Sequence, residues 1–230
     1  TQDNFYQNPD YTFNIYENSF INNLKKKMKR NSKSLEEIYK IVSFGLNTKD
    51  NKKYFSIEKN NEKWKKAVMG RHISKWVIKS FGYVFYDKTV LTRDGDVDTF
   101  EKKEKLIMQR IGADLTTAYD EEQIYCYNST NMIIEKDKDY SLKYLLTLLN
   151  SKLINYYYKN VFSMNSNLTV NITQGYLSQI PIHIPSKEEE QKMLQAGGEW
   201  PLEGLCENCG ALANLLRVDG RLLCHDCRDE

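Results

Sequence analysis

The sequence predicts an α+β chain, mostly β in its middle, with helices appended and a small cysteine-rich module at its end. Three observations support this. Between Glu36 and Ile134, short runs of β-branched and aromatic residues alternate with turn-prone clusters. From Ser141 to Tyr158, large apolar residues recur at the spacing of one helix face. After Ala196, four of the five cysteines fall within a stretch that holds no lysine and no tyrosine.

Taken in order, the chain opens Thr1-Gln2-Asp3-Asn4, with neither an initiator methionine nor a basic-then-apolar leader, and reads as a fragment. The run Lys25-Lys26-Lys27-Met28-Lys29-Arg30 puts five positive charges into six residues, which suits phosphate neutralisation and equally a solvated helix face. Ile38 to Phe44, Tyr83 to Tyr86, Leu106 to Ile111, Gln123 to Tyr127 and Met132 to Ile134 are the expected strands. Arg93-Asp94-Gly95-Asp96 marks a turn, and Gly45 and Gly70 are expected to supply positive φ at others. The clearest helix runs unbroken from about Ser141 to Tyr158 and should bury Leu142, Leu145, Leu146, Leu149, Leu153 and Tyr156. In the polar stretch Ser163 to Thr173, Asn165, Asn167 and Asn171 carry amides that can pair with adenine edges or simply populate a surface loop. Pro181 and Pro185 frame an extended segment, and Ser186 with Glu189 forms a capping box for a last helix. That helix stops at the linker Gln195-Ala196-Gly197-Gly198, which divides the chain into domains 1–195 and 196–230.

With 28% charged and 40% hydrophobic residues, the composition excludes a disordered or collagen-like chain. The longest apolar run, around Leu145 to Leu149, is interrupted by Thr147 and ends at Asn150, far short of the roughly 18 residues that a membrane span needs. No membrane partner is expected. The net charge of +2 hides an asymmetry: 30 basic residues face 24 acidic ones before Ala196, whereas three face seven from there on. The first part, rich in Lys, Asn, Ile and Tyr, has only four arginines; the second is rich in Leu, Gly and Arg. They read as separately evolved segments that have been fused.

The strongest chemical signal is Cys206-x2-Cys209-x14-Cys224-x2-Cys227. A CxxC turn aims two thiolates at one cation, and two such turns close a tetrahedral site of the kind that marks structural zinc. Gly210 supplies backbone freedom beside the first pair. A disulfide pair or a redox CxxC is the alternative, and without a secretory leader zinc is favoured. His225 is a spare candidate that is not expected to bind. The segments CENCG and LCHDC resemble treble-clef and zinc-ribbon knuckles, including those of GATA-like fingers, over about 25 residues. The basic residues that follow the second knuckle in GATA fingers are missing, which points to a stability or protein-contact element instead of DNA reading.

A wider resemblance covers the body. Glu36 to Asn47, Trp64 to Trp76, Lys103 to Asp120, Tyr140 to Tyr158 (with its LNS element at Asn150) and Leu177 to Gln191 occur in an order that resembles the TaqI-like C-terminal specificity domain. That is the target-recognition domain of type IIG restriction-modification enzymes and N6-adenine DNA methyltransferases, and the likeness spans residues 1 to 192. It implies an α+β fold with a mostly β target-recognition core and appended helices, plus the small zinc-binding module.

The resemblance also implies sequence-specific binding of double-stranded DNA in the cytoplasm of a prokaryotic cell. The partner is the methyltransferase domain of the parent protein, with a nuclease domain as a further one, and S-adenosylmethionine belongs to that partner alone. Most landmarks read as scaffold, because base-reading side chains in this family tend to lie on variable loops. Within the landmarks, Arg71, Lys75 and Arg110 are candidates for phosphate or base contacts, beside Lys25, Lys26, Lys27, Lys29, Arg30, Asn165 and Asn167. Asn8-Pro9-Asp10-Tyr11 resembles the Asn-Pro-Pro-Tyr signature of adenine methyltransferases, but Asp10 replaces the second proline and no Gly-rich loop for a methyl donor is present. Pro9-Asp10 with Asp50-Asn51-Lys52 fits a metal-nuclease pattern at the level of chance. The fragment is therefore expected to bind and not to catalyse, with structural zinc as its own cofactor. The rival readings are a protein-interaction module, in which the zinc tail and Tyr-rich surface contact other subunits, and a piece of an adenine methyltransferase or endonuclease whose catalytic domain is missing.

Overall fold

A computed structural model describes residues 19–136, 140–162, 170–186 and 188, together with strands at 202–205, 212–218 and 221–223. In chain order the elements are α1 (Ser19–Lys29), β1 (Ser32–Ser34), α2 (Leu35–Ile38), β2 (Tyr39–Ser43), β3 (Asn47–Thr48), α3 (Asn51–Tyr54), β4 (Phe55–Ser56), β5 (Trp64–Val68) and a 3-10 turn (Gly70–His72). They continue with β6 (Gly82–Phe85), β7 (Leu91–Arg93), α4 (Val97–Phe100), β8 (Lys105–Gln109), β9 (Ile111–Gly112), β10 (Thr117–Asp120), β11 (Tyr125–Cys126) and β12 (Thr130–Glu135). Last come α5 (Leu142–Asn150), α6 (Lys152–Val161), β13 (Val170–Asn171), α7 (Gln174–Leu177), β14 (Pro181–His183), and β15 (Leu202–Leu205), β16 (Leu212–Val218) and β17 (Arg221–Leu223).

Two four-stranded sheets organise the body. The central one is antiparallel, in the order β10-β8-β12-β2, with Ile107 opposite both Ala118 and Met132, and Leu106 opposite Ile133. Successive strand side chains face opposite sides, and the two cores follow that alternation. Ile41, Leu106, Met108 and Ile133 join Leu142, Leu145, Leu146, Leu149, Tyr157 and Tyr158 of the helices in one core. Ile107, Ala118 and Met132 join Ala67, Val68 and Val84 of the second sheet, ordered β11-β5-β6-β4, in the other. The body is thus three layers: helices, central sheet, second sheet. This is the α+β arrangement expected from the sequence.

The expected long helix is two. Ser151, extended at φ −66° and ψ 152°, ends α5 and caps α6, its side chain accepting from the Ile154 N–H. Two buried amides explain why the break is kept. Asn150 donates through Nδ2 to the Thr117 carbonyl (2.8 Å) and accepts through Oδ1 from the Thr117 N–H (3.1 Å), so that one side chain pairs with β10 as a neighbouring strand would. Asn155 accepts from the Leu115 N–H (2.7 Å) and donates to the carbonyls of Leu149 and Ser151. The break rotates α6 relative to a continuous helix. Leu153 and Tyr156, expected in the core, are therefore 55% and 45% exposed, while Leu142, Leu145, Leu146 and Leu149 are buried as expected.

The central sheet also buries an ion pair. Lys105 and Asp120 are fully enclosed; the ammonium meets Asp120 and donates to the Phe100 carbonyl (2.8 Å), while Asp120 accepts from the N–H groups of Glu122 and Ile124. The last helix expected from Ser186 lies largely outside the described residues. Beyond the linker, β15, β16 and β17 form an antiparallel meander.

Candidate nucleic-acid interface

Strand direction gathers several loops at one end of the sandwich. β2 and β8 are both antiparallel to β12, so their C-terminal ends lie where β12 begins. β5 runs parallel to β11, whose C-terminus leads through Tyr127, Asn128 and Ser129 into β12. The segments after β2, β5 and β8 therefore converge on that short turn.

The turn holds them by backbone hydrogen bonds. Leu46 N–H donates to the Cys126 carbonyl (2.8 Å) and Asn128 N–H to the Leu46 carbonyl (3.0 Å), which fixes the loop after β2. Tyr127 N–H donates to the Val68 carbonyl (3.0 Å), and Gly70 N–H to Ser129 Oγ (2.9 Å), which fixes the loop after β5. Arg110 N–H donates to the Ser129 carbonyl (3.0 Å), and its guanidinium to the Asn128 carbonyl (3.2 Å). Gly45 and Gly70 are needed here for closeness: a Cβ would stand 1.9 Å from the Cys126 carbonyl oxygen and 2.7 Å from that of Ser129. Neither has the positive φ expected of it. That conformation falls instead on Phe44, at φ 66°, and on Gly95 in the predicted turn, at φ 76°.

Arg71 and Arg93 are exposed at this end, and Arg110 is half-buried. The pairing of β3 with β7 sets Arg93 opposite Asn47, next to the loop after β2. The guanidinium of Arg110 stacks over the Phe44 ring at 3.8 Å and that of Arg93 lies 5.0 Å from it. Partial burial and the like charge of Arg93 both lower the Arg110 pKa from its ordinary value, though far from any loss of charge. Among the described residues neither guanidinium is ion-paired with a carboxylate, so two on one ring repel each other, and an anion relieves that repulsion. β9 and β13 extend the same end, since Ile172 N–H donates to the Arg110 carbonyl (2.7 Å) and Val170 pairs with Gly112.

The remaining candidates are differently placed. Lys25, Lys26, Lys27 and Lys29 lie on α1 and Arg30 follows it; α1 packs in the helical layer against α6 and β14 through Leu24 and Met28. Lys75 ion-pairs with Asp114 (3.4 Å), which also meets Lys159, so its charge is engaged. Asn165, Asn167 and Asn8 to Tyr11 lie outside the described residues, as do Cys206, Cys209, Cys224 and Cys227; Asn171, on β13, is exposed. Asp50 of the nuclease-like pattern caps α3, accepting from the N–H groups of Lys52 and Lys53. His72 accepts on Nδ1 from the Met69 N–H (3.1 Å) and stacks on Phe55; burial and then the charge of Arg71 lower its pKa. Among the described residues no cluster of three His, Cys, Asp or Glu is arranged to hold a metal, and no helix is long and apolar enough to cross a membrane. A pocket of about 570 Å³ between Trp76, Phe81, Tyr119 and Lys143 is rimmed by Glu121 and Glu122, the wrong sign for a phosphate backbone.

Sequence reading missed Arg93 and Phe44. A signal for Arg93 was present: the body has four arginines among its many lysines, and three of them meet here. For Phe44 there was none, because an aromatic before a glycine reads as the end of a strand.

Among solved structures, the chain is similar to the HsdS subunit from Thermoanaerobacter tengcongensis, at 10% identity and a TM-score of 0.47, over 77% of this chain and 43% of that one. It is also similar to the type I restriction-modification system S subunit from M. genitalium, at 12% identity and a TM-score of 0.42, over 79% of this chain and 41% of the other. The chain thus spans less than half the length of either. No curated protein matches it. The family described as the TaqI-like C-terminal specificity domain matches residues 11–182, three-quarters of the length, and this chain belongs to that family.

Proposed function

We propose that the chain recognises a specific sequence of duplex DNA, as the target-recognition part of a restriction-modification enzyme, and carries out no chemistry itself. The observation that bears most weight is one end of the sandwich that carries Arg110 bonded to the turn Tyr127–Ser129, Arg71 beside the Gly70 held on that turn, and Arg93 sharing the exposed Phe44 ring with Arg110. Arginine is the residue that pairs bidentately with phosphate and with guanine. Rigid strands place all three on one end of the sandwich, as a reading head requires. The methyl donor, the adenine chemistry and any nuclease belong to a methyltransferase partner of the type IIG kind. Asn165 and Asn167 are kept as candidates for base contacts, while Lys25, Lys26, Lys27, Lys29 and Arg30 supply phosphate contacts from α1. Such a protein works in the prokaryotic cytoplasm.

Selection of bound sequences from a randomised duplex library is the test. The chain should enrich one motif, with a log-log salt slope near −4 to −5 if it neutralises about four to six phosphates. Changing Arg71, Arg93 or Arg110 to Ala should then do one of two things. Loss of a guanine contact costs about 1–3 kcal/mol and relaxes preference at one position, whereas loss of a phosphate contact weakens all sequences alike. Absence of duplex binding at low salt overturns the reading.

The second domain, 196–230, is proposed to fold around one structural zinc held by Cys206, Cys209, Cys224 and Cys227. Its strands support this. β15 leaves at Leu205 and β16 enters at Leu212, so the first CxxC joins paired strand ends. β17 is antiparallel to β16 and runs from Arg221 toward that same end, where the second CxxC follows Leu223. A 35-residue module has too little core to fold unaided. Metal analysis should find one zinc per chain, and a metal-free chain with an intact tail would refute the assignment.

A further inference from the structure

Phe44 stands out on the arginine end. It is a large apolar side chain left 46% exposed. Its backbone is left-handed, at φ 66°, a conformation that side-chain-bearing residues adopt at a cost and keep only where the surroundings impose it. The adjoining Gly45 is packed onto the Cys126 carbonyl, and Leu46 N–H is bonded to that same carbonyl, so the chain just past Phe44 is fixed. The guanidiniums of Arg110 and Arg93 lie 3.8 and 5.0 Å from the ring centroid. A cation over an exposed ring is held weakly, and a charge-assisted bond to phosphate outcompetes it. On duplex DNA both guanidiniums would move to phosphate oxygens and bare the faces of the ring.

From this we infer that Phe44 is a wedge that enters the base stack at the step where a nucleobase has left the duplex, its ring stacking in the vacancy while Arg93 and Arg110 grip the flanking phosphates. Large apolar side chains beside cationic ones are the usual means of opening a base step. An extruded base leaves a gap of the thickness of one aromatic ring, and stacking restores contact on both sides of it. The inference rests on the duplex-recognition reading and adds to it a residue that senses the opened state.

The test uses the full chain, the duplex selected from the random library, and a set of the same duplexes with a single abasic site moved one position at a time. Anisotropy titrations should show one position at which the abasic site tightens binding by roughly tenfold. Phe44→Ala should abolish that gain, read within the variant as the ratio of its affinities for the abasic and the fully paired duplex, whatever the change in overall affinity. Phe44→Trp, which keeps a ring, should retain the gain and show extra quenching of tryptophan emission on the abasic duplex relative to wild type. The Trp variant also decides the matter if Phe44→Ala does not fold. Equal affinity for every duplex, a gain that survives Phe44→Ala, or an unquenched Phe44→Trp would each overturn the wedge while duplex recognition stands. Failure to bind any duplex overturns the recognition reading, and the wedge with it.

Discussion

Phe44 occupies a backbone conformation that costs an ordinary residue about 1–2 kcal/mol, and glycine does not bear that cost. Comparison of two truncations isolates it, because both remove the ring. Phe44→Gly should be more stable than Phe44→Ala by about 1 kcal/mol in urea denaturation, the reverse of the order in a strand or helix. Equal stabilities would mean that the loop relaxes out of the left-handed region once the ring is gone. Asp114 offers a second measurement at this scale. Its hydrogen bond to Lys159, opposed by partial burial and helped by Lys75, holds the carboxyl below the usual carboxylate range. A folded pKa below the unfolded value of about 3.9 stabilises the fold above that pH, and the contribution disappears as pH falls through the folded pKa. The carboxylate is 38% exposed, which limits the effect to about 0.5 kcal/mol. Asp114→Asn should lower the urea midpoint slightly at pH 7, and the gap to wild type should narrow as the pH falls below the ordinary carboxylate range. A gap that does not narrow in acid would assign the loss to packing instead of charge.

The join between α5 and α6 shows how an element is decided by a few polar atoms. Asn150 and Asn155 sit on the buried face and satisfy the backbone of Thr117 and Leu115 at the edge of the central sheet. No apolar residue of similar size can do this. Asn150→Leu leaves the Thr117 N–H buried without a partner and takes one of two donors from its carbonyl, which also accepts from the Trp76 N–H (2.8 Å), and should cost about 1–3 kcal/mol. Ser151→Ala loses one cap bond, at about 1 kcal/mol. Equilibrium unfolding of both variants checks the ranking; similar losses would show that water reaches the edge of β10. The LNS landmark, taken as a resemblance in sequence, is thus a clamp between layers.

For the molecule as a whole, the proposed division at the linker predicts separate unfolding. Cys206→Ser or Cys224→Ser should remove zinc and the unfolding signal of the tail, yet shift the melting of residues 1–195 by no more than about 2 °C. Loss of the body transition in either variant would show that the two parts fold as one. The body itself should melt cooperatively, because the central sheet contributes its two faces to two different cores and neither layer can leave alone.

Much of this was written locally and could be read from the sequence. The strand runs, the apolar stripe of α5, the Arg93–Asp96 turn and the paired cysteines are patterns over a few residues, set by side-chain period, turn chemistry and ligand spacing. The order of the landmarks carried the family. Other features depended on neighbours distant in the chain. The break at Ser151 goes with backbone groups that Leu115 and Thr117, at and just before β10, offer to two asparagines, and Gly45 is required because Cys126, 81 positions away, crosses it. The presence of Arg71, Arg110 and Phe44 at one end, with Arg93 drawn onto the Phe44 ring, follows from the directions of β2, β5 and β8, each fixed by pairing with a strand elsewhere in the sequence. Local physics determined which segments became strands and helices; which residues shared a surface was decided only when those strands were paired, since pairing, not sequence distance, sets where a loop emerges.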